Sequence, residues 1–195
     1  MKPRIPVVIG LALAVGATVV LGVLVIPNSS AAPPIRVAAT TAEPSQALHD
    51  FVRRNIGRPA SPLVASAGHQ LEHLLTPADA SLPSFFAAPT TDGGRCVATS
   101  DLVIASCLTT RSRYPGTITV RDNSEADSEP PFVYGLVRPS VETIILSVAG
   151  SRYTTEPANS LYVFPLTDAA LTVSDVTSVT YVLRGGATVE RRLAE

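Results

Sequence analysis

The string in this sequence that most resembles a catalytic motif is HQLEH, residues 69–73. The prolines around it leave room for one short helix between Leu63 and Leu75, and such a helix would place His69 and His73 one turn apart on the same face. Two histidines at this spacing can bind zinc, and Glu72 between them would act as the general base of a hydrolase. The alternative is an exposed or capped helical face that binds no metal.

A catalytic zinc site also needs a third protein ligand. The best-spaced downstream carboxylate is Glu142, which lies in a strand pattern, and His49, His69 and His73 all precede the β-rich part of the chain. Neither a G-x-S-x-G elbow nor an S-x-x-K pair is present. We therefore predict no catalytic residue and no cofactor, with an anchored or secreted metal-dependent hydrolase that uses His69, Glu72 and His73 as the alternative.

The two cysteines of the chain, Cys96 and Cys107, bracket the run CVATSDLVIASC. A hairpin that turns near residues 100–103 would place them directly opposite each other, where a cross-strand disulfide is geometrically feasible. A redox pair or a pair of metal ligands is the alternative. The spacing is neither C-x-x-C nor that of a zinc knuckle, so we predict a structural disulfide.

The N-terminal residues 5–26, IPVVIGLALAVGATVVLGVLVI, form an uncharged run of twenty-two positions that follows Lys2 and Arg4. A membrane core about 30 Å thick requires roughly 20 helical residues, so this run is long enough to span it. Signal peptides have a shorter apolar core, of about 7–15 residues, followed by small residues. The length favours a transmembrane anchor, and the small residues 29–32 keep a cleaved signal open as the alternative.

The positive charges before this segment predict its orientation. Lys2 and Arg4 precede it, whereas the next basic residue, Arg36, lies ten positions beyond its end. By the positive-inside rule, residues 1–4 are cytoplasmic and the rest of the chain lies outside the cytoplasm. Both the anchored, single-pass protein and the protein secreted after signal cleavage place the C-terminal part in this compartment, which is oxidising enough for a disulfide.

The charge of the exported part argues against a nucleic-acid partner. The chain has fifteen basic and sixteen acidic residues, and without Lys2 and Arg4 the balance is thirteen to sixteen, a formal charge of −3. Nucleic-acid binding normally requires a basic surface. The composition, with fourteen arginines to one lysine and no tryptophan, is typical of a high-GC bacterial genome.

Two segments follow the predicted anchor. Residues 27–43 are rich in proline, alanine and serine, as in a linker without a core of its own. Residues 44–91 are predicted to be helical and irregular. They begin with an amphipathic helix that Pro44 would start and Gly57 would end. Its apolar face carries Leu48, Phe51, Val52 and Ile56.

Residues 92–195 change to the alternating pattern of strands. The pattern is clearest in VETIILSV, residues 141–148, and the pair Gly185–Gly186 indicates a two-residue hairpin. The acidic tract at 122–129 is predicted to be a solvated loop, with calcium binding as the alternative. About eight short strands with frequent turns predict a mainly β fold, an antiparallel sandwich or a small barrel.

Two resemblances can be stated on these residues. The segments GRCVATSDLVIASC, VYGLVRPSVETIILSVAG, LYVFPL and SVTYVLRGG resemble a loosely defined set of uncharacterised exported or single-span actinobacterial proteins, over roughly residues 46–195. This resemblance implies an extracytoplasmic β-domain and assigns no active-site residue. The string HQLEH resembles the motif of the inverted zincins over five residues only.

These observations predict a membrane-tethered extracytoplasmic interaction or structural module. The membrane is its partner through residues 5–26, and a cell-envelope protein is the partner expected for the β-domain. A third class, a lipoprotein-like ligand binder, lacks the cysteine after the apolar segment that lipidation would need.

Overall fold

The structure, a computed structural model, describes residues 29–31, 36–38, 41–58, 61–122, 131–166 and 171–193. The predicted anchor at 5–26 and most of the acidic tract lie outside these ranges. Within them, no helix has the length and apolar character needed to cross a membrane.

The described residues form one α-helix, one 3-10 helix and twelve strands, so the predicted mainly β fold is confirmed. The helix α1 is Gln46–Asn55, and the 3-10 helix is Val173–Asp175. The strands are β1 Ser29–Ala31, β2 Glu72–Leu75, β3 Phe85–Pro89, β4 Arg95–Thr99, β5 Val103–Leu108, β6 Thr119–Arg121, β7 Phe132–Leu136, β8 Val141–Val148, β9 Ser151–Thr155, β10 Leu161–Pro165, β11 Val176–Leu183 and β12 Thr188–Arg192.

The strands form three sheets, in the orders β1-β9-β8-β11-β12, β10-β7-β6 and β2-β3-β4-β5. All strand pairs are antiparallel except β1 with β9, which is parallel. The antiparallel pairing follows from the short connections between neighbouring strands, such as the two-residue turn Ala149–Gly150 between β8 and β9.

Both faces of the three-stranded sheet are buried, as the alternating side chains of its strand β7 show. In β7, Val133 belongs to a core shared with β8 and β11 of the five-stranded sheet. Its neighbours Phe132 and Tyr134 belong to a second core, shared with β3 and β4 of the four-stranded sheet. Because successive side chains of a strand point to opposite faces, the three-stranded sheet lies between the other two.

A third core lies on the other face of the four-stranded sheet, where α1 packs. Leu48 and Val52 are fully buried there against Phe86 and Ala98, with Phe51 and Ile56 at the margin. This confirms the predicted amphipathic helix and its apolar face. Its N-cap is Ser45, whose hydroxyl accepts a hydrogen bond from the Leu48 N–H at 3.2 Å, and Gly57 follows its end with a φ of +75°.

The predicted helix between Leu63 and Leu75 is wrong. Residues 65–69 form turns, and Glu72–Leu75 is strand β2, which pairs with β3. The pairing buries Leu74 and Leu75 in the second core. Tertiary burial beside a phenylalanine-rich strand therefore overrides the local helical pattern.

The four-stranded sheet also begins before the predicted domain start at residue 92, because β2 and β3 belong to it. Part of the predicted linker contacts the folded unit as well. Ser29–Ala31 pairs with β9, and residues 36–38 pair with residues 76–78 through hydrogen bonds of 2.7 and 2.8 Å. The backbone of these linker residues is thus bound to the sheets.

The Cys96–Cys107 disulfide is present and joins β4 to β5, with Cα atoms 3.9 Å apart. The predicted hairpin is confirmed, with one added feature. A register shift between Arg95 and Val97 introduces a bulge near Ser106, whose φ is +51°. Without this extra residue the register of the strands would place Cys96 opposite Ser106, so the bulge brings Cys107 to its partner.

The Gly185–Gly186 hairpin between β11 and β12 is also present, with positive φ at both glycines. Its loop is one residue longer than predicted, because Leu183 donates its N–H to the Ala187 carbonyl at 2.7 Å. Residues 184–186 therefore form the turn.

The Thr117 carbonyl links the three-stranded sheet to the five-stranded sheet. It accepts hydrogen bonds from the buried hydroxyls of Tyr162, at 2.6 Å, and Tyr181, at 3.0 Å. Burial raises the pKa of Tyr162 well above its usual value and that of Tyr181 to about 12. Both hydroxyls are held in the neutral form that donates to this carbonyl.

We expect the disulfide to stabilise the fold substantially. Replacing both Cys96 and Cys107 with alanine should lower the free energy of unfolding by about 3 kcal/mol, because the unfolded chain regains the freedom of the open loop. Urea unfolding of the full chain in detergent, followed by circular dichroism, measures this. Reducing the wild type should cause a similar loss, and an unchanged midpoint under reduction would contradict the prediction.

We also expect the fold to weaken in alkaline solution through Tyr162 and Tyr181. Their pKa is higher in the folded state than in the unfolded chain, where it is 10.0. The stabilisation is complete below pH 10, and the part that Tyr181 contributes is lost as the pH rises through its folded-state pKa of about 12. The urea midpoint of the wild type should fall across this pH window, and that of Tyr181→Phe should fall less steeply. An equally steep fall in that variant would contradict the assignment.

Candidate functional site

The residues of the HQLEH string do not form a helical metal site. His69 lies in a turn, with its backbone N–H donating to the Ser66 carbonyl, whereas Glu72 and His73 are consecutive residues of β2. Consecutive strand residues point to opposite faces, so the one-face arrangement that the motif requires is absent. The prediction that His69 and His73 share a helix face is therefore wrong.

The histidines have structural contacts instead. The His73 Nε2 atom shares a hydrogen bond of 2.8 Å with the Thr76 hydroxyl, and its ring meets Phe86 edge-on at 5.8 Å. The His49 Nδ1 atom donates to the Gly68 carbonyl at 2.8 Å. Glu72 pairs with Arg95 at 3.2 Å. Among the described residues, no group of three or more histidine, cysteine or acidic side chains is placed to hold a metal ion.

A cleft of about 230 Å³ lies where the four-stranded and three-stranded sheets meet. Its walls come from residues 93–95, which lead into β4, from residues 108–110 at the end of β5, and from residues 136–139 after β7, with Ser160 at the turn before β10. We name it the Arg95–Arg138 cleft, after the two charged side chains that line it.

The lining of the cleft is partly apolar. Leu108 is half-buried and Pro139 is exposed, whereas the side chains of Leu136 and Val137 are buried in two different cores and offer the cleft little surface. The lining also carries hydroxyls from Thr109, Thr110 and Ser160 besides the two guanidinium groups. An apolar lining with a few polar groups is the usual composition of a ligand-binding site.

Arg138 holds one wall of the cleft in place. Its Nη2 atom donates to the carbonyls of Ser112, at 3.0 Å, and Thr110, at 3.4 Å. Its backbone N–H donates to the Pro115 carbonyl at 2.8 Å. These bonds fix the loop that follows β5 against the end of β7.

Asp92 ties the neighbouring turn to the same loop. Its carboxylate accepts hydrogen bonds from the Thr90 hydroxyl at 2.6 Å, the Gly94 N–H at 3.2 Å, and the Thr110 N–H and hydroxyl at 2.9 and 3.0 Å. The pKa of Asp92 is held far below its usual value, chiefly by the Thr90 bond. Its negative charge is thus engaged in the loop and does not line the cleft.

The turn at Asn159–Ser160 completes the cleft. Both residues have positive φ, 50° and 63°, and mutual hydrogen bonds between Ala158 and Leu161 close the turn. The Asn159 side chain donates to the Leu74 carbonyl at 2.8 Å. This bond spans from the three-stranded to the four-stranded sheet and holds Ser160 beside the cleft.

No pattern in the sequence predicts this site. Arg95, Arg138 and Ser160 come from three distant segments, and no spacing between them marks a motif. The nearest available signals were the turns at Asp92–Gly94 and Asn159–Ser160, which indicate loops but not which loops meet.

The chain matches no protein-family model, and no curated protein or solved structure is significantly similar to it. The geometry of the site therefore carries the functional argument.

We expect His73 to contribute to stability independently of metal. His73→Ala should lower the free energy of unfolding by about 1–2 kcal/mol, because the Thr76 hydrogen bond and the Phe86 contact are lost. His69→Ala, at an exposed turn position, is the matched control and should change it little. Urea unfolding with and without a chelator measures the stability of both variants. A chelator that destabilises the wild type but neither variant would contradict this view.

Proposed function

We propose that this protein is a membrane-tethered extracytoplasmic module that binds a partner through the Arg95–Arg138 cleft. The observation that carries the proposal is the composition of the cleft, in which two guanidinium groups and several hydroxyls lie beside apolar residues. Such groups bind anions and apolar side chains. They are suited to holding a ligand.

The disulfide and the N-terminal sequence support the compartment. A Cys96–Cys107 bond with a fully buried Cys96 is typical of proteins that fold in an oxidising environment. The uncharged residues 5–26 behind Lys2 and Arg4 supply the tether in this proposal, with the N-terminus inside. Secretion after cleavage would leave the module in the same compartment without its tether.

The proposed architecture is a layered β-sandwich. The four-stranded and three-stranded sheets enclose the second core, and the five-stranded sheet packs on the outer face of the three-stranded one. Asn159 of the three-stranded side reaches β2, and the hydroxyls of Ser106 and Thr119 contact each other between β5 and β6. These contacts close the sandwich at its two sides, and the cleft opens beside one of them.

Single engineered cysteines test the compartment. The native cysteines are joined in a disulfide, so only an added thiol reacts. We expect exposed Pro139→Cys and Glu156→Cys in the full chain to react with a membrane-impermeant maleimide in intact spheroplasts. Lys2→Cys should react only after permeabilisation. The reverse pattern would overturn the predicted orientation.

The same variants test the cleft. Pro139 lines the cleft and Glu156 does not. A thiol-linked photo-crosslinker at Pro139→Cys should give a discrete protein adduct that Glu156→Cys lacks and that a second change, Arg95→Gln, reduces. Equal adducts from the two positions would show that the cleft is not the binding surface.

A further inference from the structure

Two cationic side chains and no acidic one line the Arg95–Arg138 cleft. Two carboxylates lie behind this lining, because Glu72 pairs with Arg95 and Asp92 accepts hydrogen bonds from Gly94 and Thr110. The one ion pair at the rim, Arg95 with Glu72, joins side chains that are 47% and 59% exposed, and exposed pairs of this kind add little stability. A ligand with a negative charge can therefore engage Arg95 at small cost.

Arg138 keeps donors available on its guanidinium group. A guanidinium has five N–H donors, and the two on Nη2 bind the loop carbonyls. The N–H groups on Nη1 and Nε have no partner among the residues that the structure describes. A guanidinium held rigidly by carbonyls and offering further N–H groups matches the geometry of a carboxylate.

The apolar lining and the volume of the cleft restrict the chemistry and the size of the rest of the ligand. The half-buried Leu108 and the exposed Pro139 favour an alkyl group, which an inorganic anion such as phosphate lacks. The volume of about 230 Å³ is smaller than the roughly 300–1,000 Å³ of typical small-molecule sites, so the cleft suits a short end of a ligand. The site thus suits a carboxylate and an aliphatic side chain carried by the same residue.

We propose that the cleft captures the C-terminal carboxylate of a peptide chain whose last residue is aliphatic. This inference rests on the proposed function, since it names the ligand of the same site. In this arrangement Arg138 and Arg95 contact the carboxylate, the terminal side chain lies on Leu108 and Pro139, and the Ser160 hydroxyl lies beside the peptide backbone.

Saturation-transfer NMR with the full chain in detergent tests this inference. The probe is N-acetyl-Ala-Val, whose valine methyl groups report binding, and the controls are the same peptide with a C-terminal amide and inorganic phosphate. We expect the free acid to bind at least tenfold more tightly than the amide, and phosphate not to displace it at equal concentration. An amide that binds equally well, or phosphate that competes equally well, would overturn the inference.

Variants locate the binding. Arg138→Gln should weaken the acid at least tenfold, but it also removes the loop bonds, so Arg95→Gln at the exposed rim provides a second variant with a threefold or greater loss expected. Arg54→Gln on the exposed face of α1 is the matched control and should bind as the wild type does. Unchanged binding in both cleft variants would overturn the proposal.

The two proposals fail in different ways. A Pro139→Cys adduct in spheroplasts together with no preference for the free acid would leave the cleft as a binding surface and reject the C-terminal ligand. No adduct at all would instead reject the proposed function, whatever the peptides do in detergent.

Discussion

The rest of the structure depends on the close approach of the Thr117 backbone to β7. A Cβ atom on Gly135 would lie 2.0 Å from the Thr117 carbonyl oxygen, so only glycine fits at this point of the strand. The approach brings that carbonyl within reach of Tyr162 in β10 and Tyr181 in β11. One oxygen thus joins strands of two different sheets inside a buried, apolar region, where an unsatisfied carbonyl would be costly.

This contact also determines where the cleft lies. Leu136, which ends β7, and Val137 after it line the cleft, and the Thr117 N–H donates a hydrogen bond of 2.8 Å to the Leu136 carbonyl. Arg138 follows at once and reaches the loop after β5. The position of these cleft residues therefore follows from the packing of β7 between the four-stranded and the five-stranded sheet.

Local patterns predicted the elements whose formation is local. Helix α1 has its own apolar face and cap, Ile144, Leu146 and Val148 of β8 recur at every second position, and the two cysteines lie within one hairpin. The HQLEH string failed because five residues cannot show that a distant strand, β3, will pair with them. The cleft was not predicted for the same reason, since it depends on which loops of separate sheets meet, and that follows from long-range packing.

The parallel pairing of β1 with β9 shortens the part of the predicted linker that can separate the module from the membrane. Ser29 lies three positions after Ile26, and an extended chain covers at most about 3.3–3.6 Å per residue. If Ile26 ends the membrane span as proposed, β1, the edge strand that covers β9 in the five-stranded sheet, begins within about 11 Å of the bilayer surface by that measure. The module would then lie close to the membrane with this edge of the sheet facing it. The dimensions of the sheets would determine how far the module extends from the bilayer. The length of the predicted seventeen-residue linker, residues 27–43, would not determine that distance.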